Sequence, residues 1–539
     1  MSLQIIKNTK IVLFGALSIL LFSLAGSRAN EDSYIKTGTQ DNFDSQNPQN
    51  FFSIGARFVI RYIKSSYRND PFRTFLEACL VFFIIWYVSR QKYRMNQTEV
   101  ELSEKEVDEL ISEWKPEPLV RALTSVEQTI LTNTPIINSP NTIIAELSTG
   151  TTAINFTSFD FLGIMNSEGA KAKAVQTLRN YGVGPCGPPG FFGTLDVHIE
   201  LETTIAQFLK AEAAILYSQG MAVCVSVIPC FSKRGDIIVA DEKVNFMLQQ
   251  GIKLSRSKVY WYKHNDMEDL DRVLALANQN SSKKKGSIPR KFIISEGLFQ
   301  YTGNIIKLNK VMELKNKHKF RLILDDSLAI GVLGSRGAGS TDHFNISAKS
   351  IDLLIGSLWG VFGGAGGFCC ASKELIGHQR LSGLGYVFSA AMPAIMAITA
   401  SDSIKRLEID YILLLSALRK NISTLRNLLN EIDGVEILGD DFSPVIHVEL
   451  KNEHYFKMIK SSNTGINTSD EISRNQMVEI LCGITNEMQN SGVLVVQDIY
   501  IVDQEHNVPK PSIRILLSGG HSIEHLEKLS QELKKAIKV

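Results

Sequence analysis

Between Asn155 and about Cys370, six short apolar runs, AAILYS, GDIIVAD, KVYWYKH, RKFIISEG, FRLILDD and IDLLIGS, are each separated by helix-like sequence. Strands that alternate with helices cannot be joined as tight hairpins. The pattern therefore predicts an α/β fold, with a mainly parallel sheet covered on both faces. The last run opens the stretch Ile351 to Cys370, IDLLIGSLWGVFGGAGGFCC, which reads as buried strand, tight loop, buried strand. Glycines in such a loop let the backbone approach a neighbour at distances a Cβ would forbid.

The rest of the chain is organised around this block. Residues 151–400 are expected to form the large domain. After Pro393 a long helix, about Ala394 to Ile432, leads into a smaller α+β domain, 401–539, whose clearest strands are SPVIHVEL and PSIRILLS. Residues 95–150 read as an N-terminal extension, in which Ser103 and Glu106 make a capping box for a charged helix ending at WKPEPLV. The N-terminus has a different texture. Residues 1–29 hold Lys7 and Lys10 before an apolar run, Ile11 to Ala25, that reads as a signal-like or anchor segment, with cleavage left open. Residues 30–50 are a polar linker.

Membrane-associated helices are expected in 51–94. FFSIGARFVIRYIKSSY interleaves Phe51, Ile54, Phe58 and Ile63 with Arg57, Arg61 and Lys64, as a membrane-surface helix does. Phe75 to Val88 is almost wholly apolar and ends in Trp86 and Tyr87 beside Arg90, Lys92 and Arg94, an arrangement that favours membrane embedding over a core helix. Glu77 then belongs near a face or a partner.

Charge excludes one function class. With 57 basic and 56 acidic residues, nothing suggests a nucleic-acid binder. The seven cysteines have no CxxC spacing and no disulfide-framework regularity, so a reduced, cytosol-facing body is expected, and no metal site. The sequons at Asn155 and Asn421 are read as chance, and Lys283 to Lys285 as a solvated linker.

Three ordered segments carry a more specific signal: YGVGPCGPPGFFGTLDVHIELE from Tyr181, EGLFQYTGNIIKLNKVMELKNKHKFRLILDDSLAIGVLGSRGAG from Glu296, and the glycine loop with its continuation HQRLSGLGYVFSAAMP. Together they resemble the α-oxoamine synthase family of fold-type I pyridoxal-phosphate transferases over about residues 115–535. The resemblance implies a reaction in which an amino acid condenses with an acyl-CoA and carbon dioxide leaves. It also implies a set of site positions. Where active members carry Thr-x-Thr-Lys this chain reads Ser357, Leu358, Trp359, Gly360, so the Schiff-base lysine position is Gly360. Asp-Glu-Ala-His appears as Asp325, Asp326, Ser327, Leu328, which keeps the pyridine-partner aspartate and replaces the histidine. The ring-stacking histidine position, four residues after Asp241, is Asn245. Ser218, Gly220 and Met221, following Tyr217, retain a phosphate-cradle turn, and Ser357 retains a hydroxyl. Arg514, in PSIRILLSGGH with His521, matches the arginine that holds a substrate carboxylate.

These positions have plainer readings too. Asp325 is suited to capping a loop or pairing with Arg336, and Arg514 to a structural ion pair. Trp359 fills cofactor space or packs in the core, and Cys186 is a pocket residue or a small buried one. Lys373, 13 residues beyond Gly360, is expected to face solvent.

Within the family, WKPEPLV, GFFGTLDVHIELE, GGFCC and HQRLSGLGYVFSA are most similar to the lysine-less, non-catalytic long-chain-base subunits of serine palmitoyltransferases. That resemblance implies a heterodimer with a lysine-bearing catalytic subunit at the endoplasmic-reticulum membrane, its body facing the cytosol. Small regulatory subunits are left open. Pyridoxal 5′-phosphate would sit on the partner, and no cofactor would be bound covalently by this chain. The pair would condense L-serine with palmitoyl-CoA to 3-oxosphinganine. Tyr181, Cys186, Gly187, Phe192 and Thr194, in the glycine-rich loop, would then face the partner's active site. The alternative is a self-sufficient synthase using an unrecognised lysine, and Gly360 separates the two.

Overall fold

The computed structural model describes residues 60–61, 63–89, 102–140, 142–282, 288–461 and 472–537. The expected segments 1–29 and 30–50 lie outside them, as does the start of the amphipathic stretch. The chain divides into two units, Met1–Leu119 and Val120–Val539.

In the first unit, the helix Pro71–Ser89 carries its large apolar side chains exposed, among them Phe75, Phe82, Phe83 and Ile85. This is not a core helix. Glu77 has the partner expected of it, since Arg73 Nε donates to its Oε1 at 3.0 Å one helical turn away. Among the described residues no helix is long and apolar enough to cross a membrane. The Ser103–Glu106 capping box opens the helix Glu104–Glu113 as expected.

The second unit begins with the helix Ser125–Asn133, followed by a hairpin, β1 (Ile144–Glu146) and β2 (Thr152–Asn155), which β12 (Val493–Leu494) joins in parallel. Residues 144–146, read as part of an extension, are thereby tied to the C-terminal part of the chain. The central sheet has seven strands: β3 (Ala213–Tyr217), β4 (Ile237–Asp241), β5 (Lys258–Tyr262), β6 (Lys291–Glu296), β7 (Arg321–Asp325), β8 (Leu353–Ser357) and β9 (Gly367–Ala371). Their spatial order is β3-β9-β8-β7-β6-β4-β5. All neighbours are parallel except those of β9. The reversal follows from chain length: a nine-residue glycine loop cannot carry the chain back for a parallel strand, which needs a crossover of a dozen residues or more. Ile293, Leu322, Ile323 and Leu354 are fully buried, as a sheet covered on both faces requires.

The Ala394–Asn430 helix crosses the boundary expected at residue 400. It packs against the helices Glu168–Tyr181 and Asp196–Phe208 on one side and Ile523–Ile537 on the other. The C-terminal sheet is antiparallel, β10 (Val435–Leu438), β11 (Val445–Leu450), β14 (Ile513–Leu516) and β13 (Val496–Gln497) in that order.

Two helices behind the sheet, Gly220–Phe231 and Phe246–Ser255, come unusually close at Gly251. A Cβ there would lie 2.5 Å from the Cys224 carbonyl oxygen. We expect Gly251→Ala to destabilise the chain by about 1–3 kcal/mol in urea unfolding. Gly169→Ala, on a helix with nothing within 4 Å of the added carbon, should stabilise it by about 0.5–1 kcal/mol.

Candidate functional site

In a parallel sheet buried on both faces, polar side chains collect at the carboxyl ends of the strands. Glu296 ends β6 and Asp325 ends β7, and the two are in register and buried. Asn245 stands between them. Its Nδ2 donates to Asp325 Oδ2 at 3.2 Å, and its backbone N–H donates to Glu296 Oε1 at 2.5 Å. Its Oδ1 accepts from the Leu248 N–H, capping the Phe246–Ser255 helix. Asp325 Oδ1 accepts from the Ser327 N–H at 3.0 Å and from its hydroxyl. Asp325 therefore caps a turn and does not pair with Arg336, whose N–H and guanidinium go to Asp342.

Burial pushes the Asp325 carboxyl up. Glu296 is pushed well above the usual range by burial and then by the Asp325 charge. Burial also raises Asp326 to about 7, against hydrogen bonds from Ser340 that favour its charged form. Leu328, at the lost histidine position, turns into the core.

The cradle turn lies at the end of β3. The Ser218 and Ser389 hydroxyls are hydrogen-bonded to each other at 2.8 Å. Met221 is exposed, and Ser357 Oγ donates weakly to the Ser327 carbonyl at 3.4 Å. Gly220, the first residue of the Gly220–Phe231 helix, lies against Trp359: a Cβ on it would be 3.0 Å from indole Cδ1 and 3.1 Å from Nε1. The half-buried indole meets Phe159 edge-on, centroids 4.9 Å apart, and Phe159 in turn lies 5.5 Å below the Arg514 guanidinium. Arg514 Nη1 is paired with Asp498 Oδ1 at 2.7 Å, the structural ion pair anticipated for it. Gly360 is buried, and a Cβ added to it would have its nearest neighbour, the Phe159 carbonyl oxygen, at 3.9 Å.

These residues do not fit a bound pyridoxal phosphate. The indole covers the helix end that would receive the phosphate, Ser218 is engaged, and the lysine and both histidines are missing. Among the described residues no group of His, Cys, Asp or Glu is placed to hold a metal ion. Lys373 is exposed at the start of its helix, beyond β9.

The glycine-rich loop is a separate, ordered surface. Tyr181 OH donates to Asp196 Oδ2 at 3.0 Å, Thr194 Oγ1 to the Pro189 carbonyl at 2.7 Å, and the Ala391 N–H to the Gly187 carbonyl at 2.9 Å. A Cβ on Gly193 would fall 1.9 Å from that same Gly187 oxygen, which only glycine allows. With its base locked, the loop turns Phe191 and Phe192 outward, Phe192 fully exposed with φ +65°. Cys186 is exposed as well, which removes its reading as a small buried residue.

Behind the loop lies a cavity of about 300 Å³ lined in part by Thr194, His198, Ser218 and Tyr386. An ion pair at its wall was not anticipated. Arg380 Nη2 bonds Glu202 Oε2 at 2.6 Å while Nη1 donates to Tyr386 OH at 2.7 Å. GTLDVHIELE and HQRLSGLGY both contain these residues, but 178 positions separate the partners.

Comparison with known proteins places this geometry. The family model for class I and II aminotransferases matches residues 154–533. Serine palmitoyltransferase 1 of Dictyostelium discoideum is 38% identical over 472 residues, 86% of this chain and 93% of that protein. Serine palmitoyltransferase 1 of Saccharomyces cerevisiae is 34% identical, covering 90% and 92%. Long chain base biosynthesis protein 1 of Arabidopsis thaliana is 34% identical, covering 86% and 90%. Among solved structures, a serine palmitoyltransferase from Sphingomonas wittichii shares the fold with a TM-score of 0.64 at 21% identity, covering 76% of this chain and 94% of that one.

His521 links this site to stability. Its Nδ1 accepts from the Ser518 N–H, its Nε2 faces the Asn155 carbonyl, and its ring stacks on Phe156 at 4.2 Å. Burial lowers its pKa from 6.5 to about 4. Below pH 6.5 the unfolded chain takes up a proton that the folded ring refuses, so this stabilisation is complete above 6.5 and is lost as pH falls toward 4. The group should make the protein about 2 kcal/mol less stable at pH 5 than at pH 7 in urea unfolding, and His521→Phe should flatten that dependence.

Proposed function

The chain belongs to the serine palmitoyltransferase 1 family, within the class I and II aminotransferases, and on that premise we propose that it is the non-catalytic, site-completing subunit of the enzyme. The role in sphingolipid biosynthesis comes with the family. Gly360 carries the finer reading: a chain with no ε-amino group at that position forms no internal aldimine there. Pyridoxal 5′-phosphate is then held by a lysine-bearing partner, and the heterodimer condenses L-serine with palmitoyl-CoA to 3-oxosphinganine.

What this chain supplies is shape. The locked loop Tyr181–Thr194 presents Phe191, Phe192 and Cys186 as a preformed apolar edge, and a rigid edge loses little entropy on docking. The exposed apolar side chains of Pro71–Ser89 suit a lipid or protein surface, in keeping with a body held on the cytosolic side of the endoplasmic reticulum.

Co-expression is the direct test. Activity is expected only when both chains are present, and borohydride reduction should leave the pyridoxyl group on the partner. A pyridoxyl-lysine in this chain would overturn the reading in favour of a self-sufficient synthase. Gly360→Lys alone is expected to give no turnover without the partner, because Leu328 and Asn245 also differ. Phe192→Asp should lower the activity of the complex at least about tenfold while the unfolding midpoint of this chain stays unchanged.

A further inference from the structure

We propose that Trp359 is a built-in plug, an indole that occupies this chain's own cofactor cradle and keeps it shut to phosphate-bearing ligands. The inference rests on the reading of a chain without a Schiff-base lysine, and goes beyond it: absence of the lysine removes covalent attachment only, whereas a cradle left intact would still take the cofactor by its phosphate.

The cradle's helix is a full one, Gly220–Phe231, and the N-cap residue Gln219 makes no side-chain capping bond. Its first N–H groups and the positive end of its dipole would therefore be available to an anion. A glycine at the first position allows the close approach that a phosphate needs. Here that approach is made by the pyrrole edge of Trp359 instead, with Cδ1 and Nε1 at 3.0 and 3.1 Å from where a Gly220 Cβ would be, closer than ordinary van der Waals contact. A phosphate oxygen bonded to the Gly220 or Met221 N–H would need that space.

The indole is also held in place. Phe159 meets it at an interplanar angle of 85°, and Phe159 is covered by Arg514, itself fixed by Asp498. A string of contacts, Asp498 to Arg514 to Phe159 to Trp359 to Gly220, thus runs from the expected carboxylate-binding arginine to the expected phosphate-binding turn. The hydroxyl that would help hold a phosphate, Ser218, is bonded to Ser389. A plug of this kind fills with the chain's own atoms a cleft that would otherwise be a void, so the subunit folds without a ligand of its own.

The test is equilibrium dialysis of the purified heterodimer, its partner site loaded with pyridoxal 5′-phosphate, against pyridoxine 5′-phosphate, which has no aldehyde and forms no Schiff base. The wild-type complex is expected to bind none in this chain. Trp359→Gly should gain one site per heterodimer, at least about tenfold tighter than any wild-type binding, and its unfolding midpoint should rise with added ligand. Trp359→Phe, which keeps a ring in place, should remain closed. Stoichiometric binding by the wild-type complex would overturn the proposal whether or not the variants assemble. So would a Trp359→Gly complex that assembles normally and binds nothing, and if that variant fails to assemble, Trp359→Ser replaces it with the same two outcomes. Failure of the subunit reading itself has a different signature, a borohydride-trapped pyridoxyl-lysine in this chain.

Discussion

A parallel sheet covered on both faces leaves buried polar groups one place to gather, the carboxyl ends of its strands. Everything at the centre of this molecule depends on that constraint. β6, β7 and β8 are largely apolar in their interiors and end in Glu296, Asp325 and Ser357. Burying two carboxyl groups side by side without a cation is unfavourable. The fold answers with donors: Asn245 reaches both acids, while Ser327 and Gln300 satisfy the remaining oxygens. The cluster is thus complete in itself. An asparagine in place of a stacking histidine converts a ligand-facing position into an internal clasp.

The same economy appears across the cleft. Ser218 is bonded to Ser389, Arg514 is paired through Nη1 with Asp498 while its Nε stays buried without a partner, and the helix end at Gly220 is covered by an indole. The polar scaffold of a transferase is retained because removing one member of a buried network costs more than keeping it.

Much of this was legible in the sequence. The six apolar runs became strands because short apolar segments between helices are accommodated as buried strands, and the glycine loop lies between two buried strands as read, while the reversal of β9 was not read from the sequence. The capping box at Ser103 and the ion-pair reading of Arg514 are local or chemically forced. What sequence could not place were contacts between distant positions. Glu202 with Arg380, Ser218 with Ser389 and Asn245 with Asp325 are separated by 178, 171 and 80 residues, and no spacing rule reaches that far. Trp359 is a related case: the residue was singled out, but its two readings differed only in which way the ring turns. Cys186 is exposed and has a φ of +53°, a loop conformation that composition does not encode.

The surroundings of Gly360 bear on the subunit role proposed above. No atom outside its chain neighbours stands within 3.9 Å of a Cβ added there, so the first carbon of a side chain meets no clash at this position. The indole next to it and the leucine and asparagine in the histidine positions are not undone by a substitution there, and each has been absorbed into packing or hydrogen bonding. On the proposed subunit reading the arrangement is a ratchet: one position that meets no clash at its first carbon and several that are closed, so that a return to self-sufficiency would require changes made together.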